Sequence, residues 1–308
     1  MTLTIPRLAH LGKTLLACGL CCTLGALPCE AARAAAPRVD VVYAHASDRS
    51  LAFDFYYPEP PQKAPAPLLI YIHGGAWRAG DKADLPIREF TRRGYAIASV
   101  NYRLSTTAAF PAQIHDIKAA VRYLRAHAAD HEVDPERFAL VGSSAGGHLA
   151  ALAGVSQGVA ELEGTLGDFP NTSSRVQAIV SYYGAANLQS ILDQSTEFGR
   201  GVRVPALQLL LGGQPTDNPR LARLASPVAH VDELDPPLLL LHGDADPQMP
   251  PRQSEEFARA YESAKAPVEL IILTGGKHGG GEFYDLNRSA RVDAFLRRAF
   301  TASSKRDR

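Results

Sequence analysis

Cysteine and net charge are both scarce in this sequence. Its 308 residues include four cysteines, all placed before residue 30, and the 32 lysines and arginines balance the 32 aspartates and glutamates. A formal net charge of zero provides no general attraction to nucleic acid or to an anionic membrane surface. We therefore expect no nucleic-acid partner. With 46% hydrophobic residues, the chain is typical of a soluble globular protein with a sizeable core.

The start of the chain lacks the long apolar run that a membrane span needs. Its run, TLLACGLCCTLGAL, is short for a bilayer and follows two basic residues. A basic start, a short apolar core and the small-x-small site Ala32–Ala34 are typical of a secretory signal peptide. We expect residues 1–34 to be this signal, cleaved after Ala34, and residues 35–308 to form the mature domain of a periplasmic or secreted protein. A retained membrane anchor and a lipoprotein cleavage box at Cys18 are the alternatives.

All the cysteines lie within this leader: Cys18, Cys21, Cys22 and Cys29. Cleavage would leave a chain without a disulfide, a thiol nucleophile or a thiolate metal site. Export without cysteine points to the periplasm or medium of a bacterium rather than to a disulfide-stabilised fold. We expect no metal ion, no cofactor and no stable membrane insertion after cleavage.

Strands and helices alternate from about residue 39 onward. Nearly continuous apolar runs such as APLLIYIH (65–73) predict strands that are covered on both faces, and apolar residues at helical spacing follow Pro111. Further helices are predicted over 84–93 and 282–300. Eight strands, with helices between them from the third onward, predict one α/β domain with a doubly wound, mostly parallel sheet. The strands are VDVVYA, SLAFDFYYP, APLLIYIH, YAIASVNYR, RFALVG, VQAIVSYYG, PPLLLLHG and VELIILTG.

One connection is too long for this pattern. Residues 187–235 separate two predicted strands and contain the apolar segment VRVPALQLLLGG. This insertion forms either a cap over a site or a surface helix with a small core of its own. We favour the cap.

The segment GSSAGG at 142–147 matches the pattern G-x-S-x-G, with Ser144 at its centre. Glycines at both flanks allow a sharp turn from a strand to a helix, which lifts the central hydroxyl above the sheet edge. The required strand and helix are both predicted here. Taken alone, the segment fits an ordinary Gly/Ser turn about as well as a nucleophile.

An activated serine needs a base, and the base needs an acid that orients it. In this architecture the acid and then the histidine follow the serine along the chain. Only His278, in the glycine-rich loop after the last strand, lies beyond the acid candidates. Asp244 and Asp246 compete for the acid in HGDADPQMP, and either could instead be a turn former.

Acyl transfer also needs N–H donors for the oxyanion of the tetrahedral intermediate. One donor is the residue after the nucleophile, here Ala145, and the others come from the loop after the third strand. The segment His73–Ala76 is such a loop. The oxyanion loop, the serine motif, the aspartate loop and the histidine loop thus occur in the required order. Together they indicate an acyl-transfer site much more strongly than any one of them alone.

These segments resemble the α/β-hydrolase superfamily across about residues 39–300. More narrowly, the chain is similar to secreted bacterial carboxylesterases that overlap the hormone-sensitive-lipase-like and the feruloyl- and acetyl-xylan-esterase-like groups. The segments that carry the resemblance are HGGAW (73–77), NYRLS (101–105), DIKAAVRYLR (116–125), GSSAGGHLA (142–150), SPVAHV (226–231), HGDADPQMP (242–250) and GGKHGG (275–280).

The resemblance implies a role for each site residue. It decides between the two aspartates, because the acid in such loops directly precedes the proline. One departure is Ala76, which stands where the lipase-like loop often has a third glycine; its N–H is retained, but bulky tertiary-alcohol esters become less expected. The implied roles are Ser144 as nucleophile, Asp246 as acid, His278 as base, Gly75, Ala76 and Ala145 as oxyanion donors, Trp77 as a pocket wall or packing residue, and His73 and His148 as structural residues.

The implied function is a serine carboxylic ester hydrolase. It would act on short-chain, aryl or carbohydrate esters, so its partner is a small-molecule or carbohydrate-linked ester. An amidase, arylformamidase or exopeptidase with the same triad is one alternative, and a catalytically silent binding module is another. The oligomeric state stays open.

Overall fold

The structure, a computed structural model, describes residues 1–2, 36–46 and 49–306, with side chains as far as residue 302. The predicted leader, apart from its first two residues, lies outside these ranges together with its cleavage site and all four cysteines. Within the described ranges, none of the helices is both long and apolar enough to cross a membrane.

An eight-stranded sheet forms the centre of the fold, in the order β1-β2-β4-β3-β5-β6-β7-β8. The pairs β1–β2 and β2–β4 are antiparallel, and all other neighbours are parallel. This confirms the predicted eight strands and the mostly parallel sheet. The strands are β1 (Arg38–Ala46), β2 (Arg49–Tyr56), β3 (Ala66–Ile72), β4 (Ala96–Val100), β5 (Val133–Ser143), β6 (Ala178–Tyr182), β7 (Leu238–Gly243) and β8 (Val268–Leu273).

Helices cover both faces of this sheet, which is why its strands read as continuous apolar runs. Successive side chains of β3 point to opposite faces: Leu68 and Ile70 join one core, whereas Leu69 and Tyr71 join another. The helices are α1 (Ala112–Ala126), α2 (Ala145–Val155), α3 (Ala160–Glu163), α4 (Ile191–Gln194), α5 (Glu197–Leu211), α6 (Pro219–Leu224), α7 (Arg252–Ala264) and α8 (Leu286–Arg306).

The helix predicted over 84–93 is confirmed only in its second half. The structure has turns there and then a short 3-10 helix, Arg88–Arg93, which ends at Gly94 in a left-handed conformation with φ of 91°. Pro86 disfavours the α conformation for the residue before it, Leu85, and the carboxylate of Asp81 accepts the N–H of Ala83 to form a tight turn just before this segment. The closing helix begins at Leu286 rather than at residue 282.

The insertion 187–235 contains α4, α5, α6 and a 3-10 turn, Pro227–Ala229. Its buried apolar side chains belong to the same core as α1 and α2, so it has no separate small core. The N–H of Phe110 donates to the carbonyl of Leu210 at 2.8 Å, and the hydroxyl of Thr196 donates to the carbonyl of Pro247 at 2.8 Å. These contacts place the insertion beside loops at the carboxyl ends of the strands, as the favoured cap interpretation expects.

Candidate active site

Ser144 lies on a strained turn between β5 and α2. Its φ of 53° and ψ of −118° are unusual for a residue with a side chain, and such conformations cost about 1–3 kcal/mol and collect at functional sites. The flanking glycines are required by close packing. A Cβ on Gly142 would lie 2.2 Å from the carbonyl oxygen of Gly146, and one on Gly146 would lie 2.0 Å from that of Ile72.

Three loops bring the predicted triad residues together at one edge of the sheet. Ser144 follows β5, Asp246 follows β7 and His278 follows β8. Ser144 Oγ lies 2.9 Å from His278 Nε2, and His278 Nδ1 lies 2.6 Å from Asp246 Oδ2. Because an ionised carboxylate only accepts, Nδ1–H donates to Asp246 and Nε2 is left to accept the serine proton.

The carboxylate of Asp246 is held by several donors. Its Oδ1 accepts the N–H groups of Gln248 at 2.8 Å and Met249 at 2.9 Å, and Oδ2 also lies 3.4 Å from Nε2 of His242. Burial raises the pKa of Asp246, but hydrogen bonds from His242 and His278 and the N–H of Met249 outweigh it, so the pKa lies well below its usual range. Asp246 therefore remains ionised.

Asp244 makes different contacts from Asp246. It is exposed, and its Oδ1 accepts the N–H of Gly275 at 2.7 Å. This bond joins the loop after β7 to the loop that carries His278. The geometry thus brings Asp246 to the histidine and uses Asp244 to connect the two loops.

The predicted oxyanion loop packs directly on the turn at Ser144. A Cβ on Gly74 would lie 3.4 Å from the Cβ of Ser144. The next three residues are all left-handed, with φ of 105° at Gly75, 51° at Ala76 and 59° at Trp77. On the other side, Ala145 is the first residue of α2, where an N–H has no intrahelical acceptor.

Trp77 is completely buried, and its indole N–H donates to His148 Nδ1 at 3.0 Å. Its side chain has no exposed surface with which to form a pocket wall, so of the two expected roles this position agrees with packing. His73 supports the loop as expected: its Nδ1 lies 2.8 Å from the carbonyl oxygen of Gly74, and its ring stacks on Tyr102.

Ser143 is as accessible as Ser144, at 7% against 8% exposed. Its hydroxyl lies 3.0 Å from that of Tyr71, whose side chain belongs to the same core as Leu69. The two serines therefore differ in their hydrogen-bond partners rather than in exposure: Ser144 contacts His278, and Ser143 contacts Tyr71.

Tyr183, the residue directly after β6, lies against the histidine. Its ring meets that of His278 edge to face, with centroids 4.9 Å apart, and its hydroxyl lies 2.8 Å from that of Tyr284. Its φ of 40° is also left-handed. No local sequence pattern marks this contact, because the two residues are far apart in the chain.

Metal ligands are a separate question. Over the described part of the chain, no group of three or more His, Cys, Asp or Glu side chains is arranged to hold a metal ion.

The mostly parallel eight-stranded sheet and the strained serine between β5 and α2 define the α/β-hydrolase class. Comparison with known proteins agrees. A family model described as BD-FAE matches residues 53–261, about two thirds of the sequence. The chain belongs to this family, and its fold is that of the α/β-hydrolases.

Named relatives and solved structures give the same class. Esterase LipQ of Mycobacterium tuberculosis (strain ATCC 25618 / H37Rv) is 32% identical over 264 residues, which cover 84% of this chain and 60% of LipQ. A truncated form of carbohydrate esterase from gut microbiota has a TM-score of 0.78 and 32% identity, covering 89% of this chain and 99% of that one. An acetyl ester-xyloside bifunctional hydrolase from Caldicellulosiruptor lactoaceticus has a TM-score of 0.67 and 25% identity. The match covers 82% of this chain and 90% of that one.

The curated relatives are longer proteins. This chain spans 60%, 51% and 55% of the length of three M. tuberculosis esterases that it matches, LipQ, LipM and LipC.

Proposed function

We propose that this protein hydrolyses carboxylic esters with Ser144 as nucleophile, His278 as general base and Asp246 as the orienting acid. The observation that carries the proposal is the unbroken chain of hydrogen bonds from Ser144 Oγ through both nitrogens of His278 to Asp246. Membership of the BD-FAE family and similarity to named esterases support it.

The first half of the reaction forms an acyl-enzyme. Nε2 of His278 takes the hydroxyl proton as Ser144 Oγ bonds to the ester carbonyl carbon, and Asp246 stabilises the resulting imidazolium. The oxyanion accepts hydrogen bonds from the N–H groups of Ala145 and the oxyanion loop. His278 then gives its proton to the leaving alcohol as the carbon–oxygen bond breaks.

The second half repeats these steps with water. His278 takes a proton from a water molecule, whose oxygen attacks the acyl carbon, and it returns that proton to Ser144 as the acid product leaves. The N–H donors contribute much of the rate enhancement, since losing one oxyanion hydrogen bond lowers kcat by about 100- to 1,000-fold.

The proposed substrates are short-chain, aryl or carbohydrate-linked esters. The support is the likeness to a carbohydrate esterase at a TM-score of 0.78, and to an acetyl ester-xyloside hydrolase. Among these classes we place acylated carbohydrates first, because the carbohydrate esterase is matched over 99% of its length.

A substrate panel tests this proposal. Purified protein would be assayed with p-nitrophenyl acetate, butyrate and a longer acyl ester, and then with acetyl-xylan, a feruloyl ester, an aryl formamide and an aminoacyl amide. Ser144→Ala is expected to lose essentially all turnover, whereas Ser143→Ala retains the hydroxyl that contacts His278. Turnover by wild type no greater than by Ser144→Ala would contradict ester hydrolysis, and faster amide than ester cleavage would favour the amidase alternative.

We also infer export of the protein with cleavage after Ala34. The support is the sequence pattern of the first 34 residues. Expression of the full chain in a bacterium with periplasmic fractionation and intact-mass measurement is expected to give a soluble product starting at Ala35. A product that retains residue 1 in the membrane fraction would contradict this inference.

A further inference from the structure

Two residues of the oxyanion loop, taken here to extend to Trp77, have an unfavourable backbone conformation. Ala76 and Trp77 have φ of 51° and 59°, in the left-handed region that residues with a Cβ rarely adopt. Each such residue costs of the order of 1 kcal/mol or more. Glycine would adopt this conformation freely, but here contacts from outside the loop must hold it.

Trp77 makes two hydrogen bonds that can hold the loop. Its carbonyl oxygen accepts the N–H of Ser105 at 2.8 Å, and its indole N–H donates to Nδ1 of His148 at 3.0 Å. The two rings also meet edge to face, with centroids 5.2 Å apart and planes at 87°. Both side chains are fully buried, so water does not compete for this bond.

The second nitrogen of His148 is also occupied. Because Nδ1 accepts from the indole, the ring proton lies on Nε2, which donates to the carbonyl oxygen of Ala225 at 2.7 Å. Burial lowers the pKa of His148 to about 4, so the ring is neutral near pH 7 and keeps this arrangement.

These bonds make His148 the meeting point of three parts of the site. It lies one turn into α2, and its own N–H donates to the carbonyl oxygen of Ser144 at 3.0 Å. Trp77 belongs to the oxyanion loop, and Ala225 belongs to the insertion, directly after α6. One side chain thus contacts the nucleophile helix, the donor loop and the cap.

We propose that His148 is a positioning residue, whose imidazole holds the loop Gly75–Trp77 in the conformation that directs its N–H groups toward the substrate carbonyl at Ser144. The proposal rests on the proposed ester hydrolysis. Without His148 the loop relaxes toward negative φ in most molecules, and its N–H groups then turn away from the developing oxyanion; the remaining fraction keeps the donors in place. Contacts to an oxyanion are stronger in the transition state than in the bound substrate, so the loss is in kcat more than in KM.

Three substitutions separate the two nitrogens of the ring. His148→Asn retains an acceptor near the position of Nδ1, and so retains a partner for Trp77. His148→Gln retains a donor near the position of Nε2, and so retains the bond to Ala225. His148→Leu removes both. His131→Leu is a control far from the site. His131 is buried against Phe53 and Phe55 and precedes the start of β5, whereas Ser144 follows the end of that strand.

We expect the kcat values of the variants to depend on whether the indole N–H of Trp77 keeps a hydrogen-bond acceptor. With p-nitrophenyl acetate, His148→Leu is expected to lower kcat by about 10- to 100-fold, less than the loss of a whole donor, with KM within about threefold. His148→Asn recovers most of kcat, and His148→Gln does not. His131→Leu lowers the melting temperature but leaves kcat within about twofold.

A second readout does not depend on catalysis, because Trp77 is the single tryptophan of the chain. Its indole N–H gives one cross-peak in a ¹⁵N–¹H spectrum, expected to exchange slowly with deuterium in wild type and His148→Asn and rapidly in His148→Leu. A folded His148→Leu with unchanged kcat, or a loss of kcat that Asn does not restore, would overturn the positioning role. If wild type matches Ser144→Ala, the ester hydrolase proposal fails instead, and slow indole exchange alone would not sustain the positioning role.

Discussion

Asp244 and Asp246 stand two positions apart in one loop and act on different neighbours. Asp246 is buried and bonds His278 at 2.6 Å, whereas Asp244 is exposed and bonds the N–H of Gly275 at 2.7 Å. A buried, ionised carboxylate can orient an imidazole and stabilise its positive charge. An exposed carboxylate on a backbone N–H holds a turn. We therefore propose different roles for the two aspartates, determined by their positions.

Replacing each aspartate with asparagine tests this difference. Asp246→Asn is expected to lower kcat by about 1,000-fold or more, because the amide favours the wrong histidine tautomer. Asp244→Asn is expected to cost less than about tenfold, since an amide oxygen still accepts from Gly275. Steady-state kinetics on both purified variants measure the two effects. The reverse order would contradict the assignment of Asp246 as the acid.

The turn from β5 to α2 depends on close contact between elements. Gly146 lies against β3, where a Cβ would meet the carbonyl oxygen of Ile72 at 2.0 Å, and a carbonyl of a central strand cannot move aside. Gly201, within α5, has nothing within 4 Å of an added Cβ. One glycine is thus required by packing, and the other is not.

Alanine at these two glycines should have opposite effects on stability. Gly146→Ala is expected to destabilise the fold by about 3 kcal/mol or more, as overpacking at a core contact does. Gly201→Ala is expected to stabilise it by about 0.5–1 kcal/mol, because glycine within a helix is unfavourable. Urea unfolding of both variants provides the measurement. A Gly146→Ala protein as stable as wild type would show that α2 does not pack on β3 as described.

Elements were predictable from sequence where local pattern determines them. Continuous apolar runs predicted the strands, and Pro111 followed by apolar residues at helical spacing predicted α1. The helix predicted over 84–93 forms only from Arg88, as a 3-10 helix, because Pro86 disfavours a helical conformation for Leu85 before it. The burial of Trp77 and its bond to His148 were not predictable, because no motif or rule of chain order indicates which buried side chains pair.

The whole sheet explains why the site could be predicted better than its surroundings. Carboxyl ends of parallel strands meet at one edge, so residues after β5, β7 and β8 converge there whatever lies between them. Ser144 was chosen from the motif G-x-S-x-G and His278 from the chain order, and this rule explains why the two then lie together. It says nothing about which side chains support them, and so Tyr183 beside His278 was not expected.

Stability of the whole molecule should respond to pH through Asp235, a buried residue at the end of the insertion. Burial raises its pKa to about 7, although its carboxylate accepts the N–H of Asp232 at 2.9 Å. The unfolded chain loses this proton near pH 4. The folded state therefore binds the proton more tightly, and stability falls as pH rises from about 4 to 7 and then levels off.

Asp235→Asn removes this penalty, because an amide does not ionise. At pH 8 the variant is expected to be about 2 kcal/mol more stable than wild type, from a shift of several pH units discounted for relaxation. The difference should shrink toward pH 5. Urea unfolding at both pH values measures it, and a variant less stable than wild type at pH 8 would contradict the raised pKa.

The central claim is that Ser144 is the nucleophile. A p-nitrophenyl alkylphosphonate, which traps an activated serine covalently, tests it by intact-mass measurement and peptide mapping. We predict one phosphonyl group per chain, on the peptide that contains Ser144, in wild type and in Ser143→Ala, and none in Ser144→Ala. Labelling that persists in Ser144→Ala, or that maps to Ser143 or another residue in wild type, would contradict the claim.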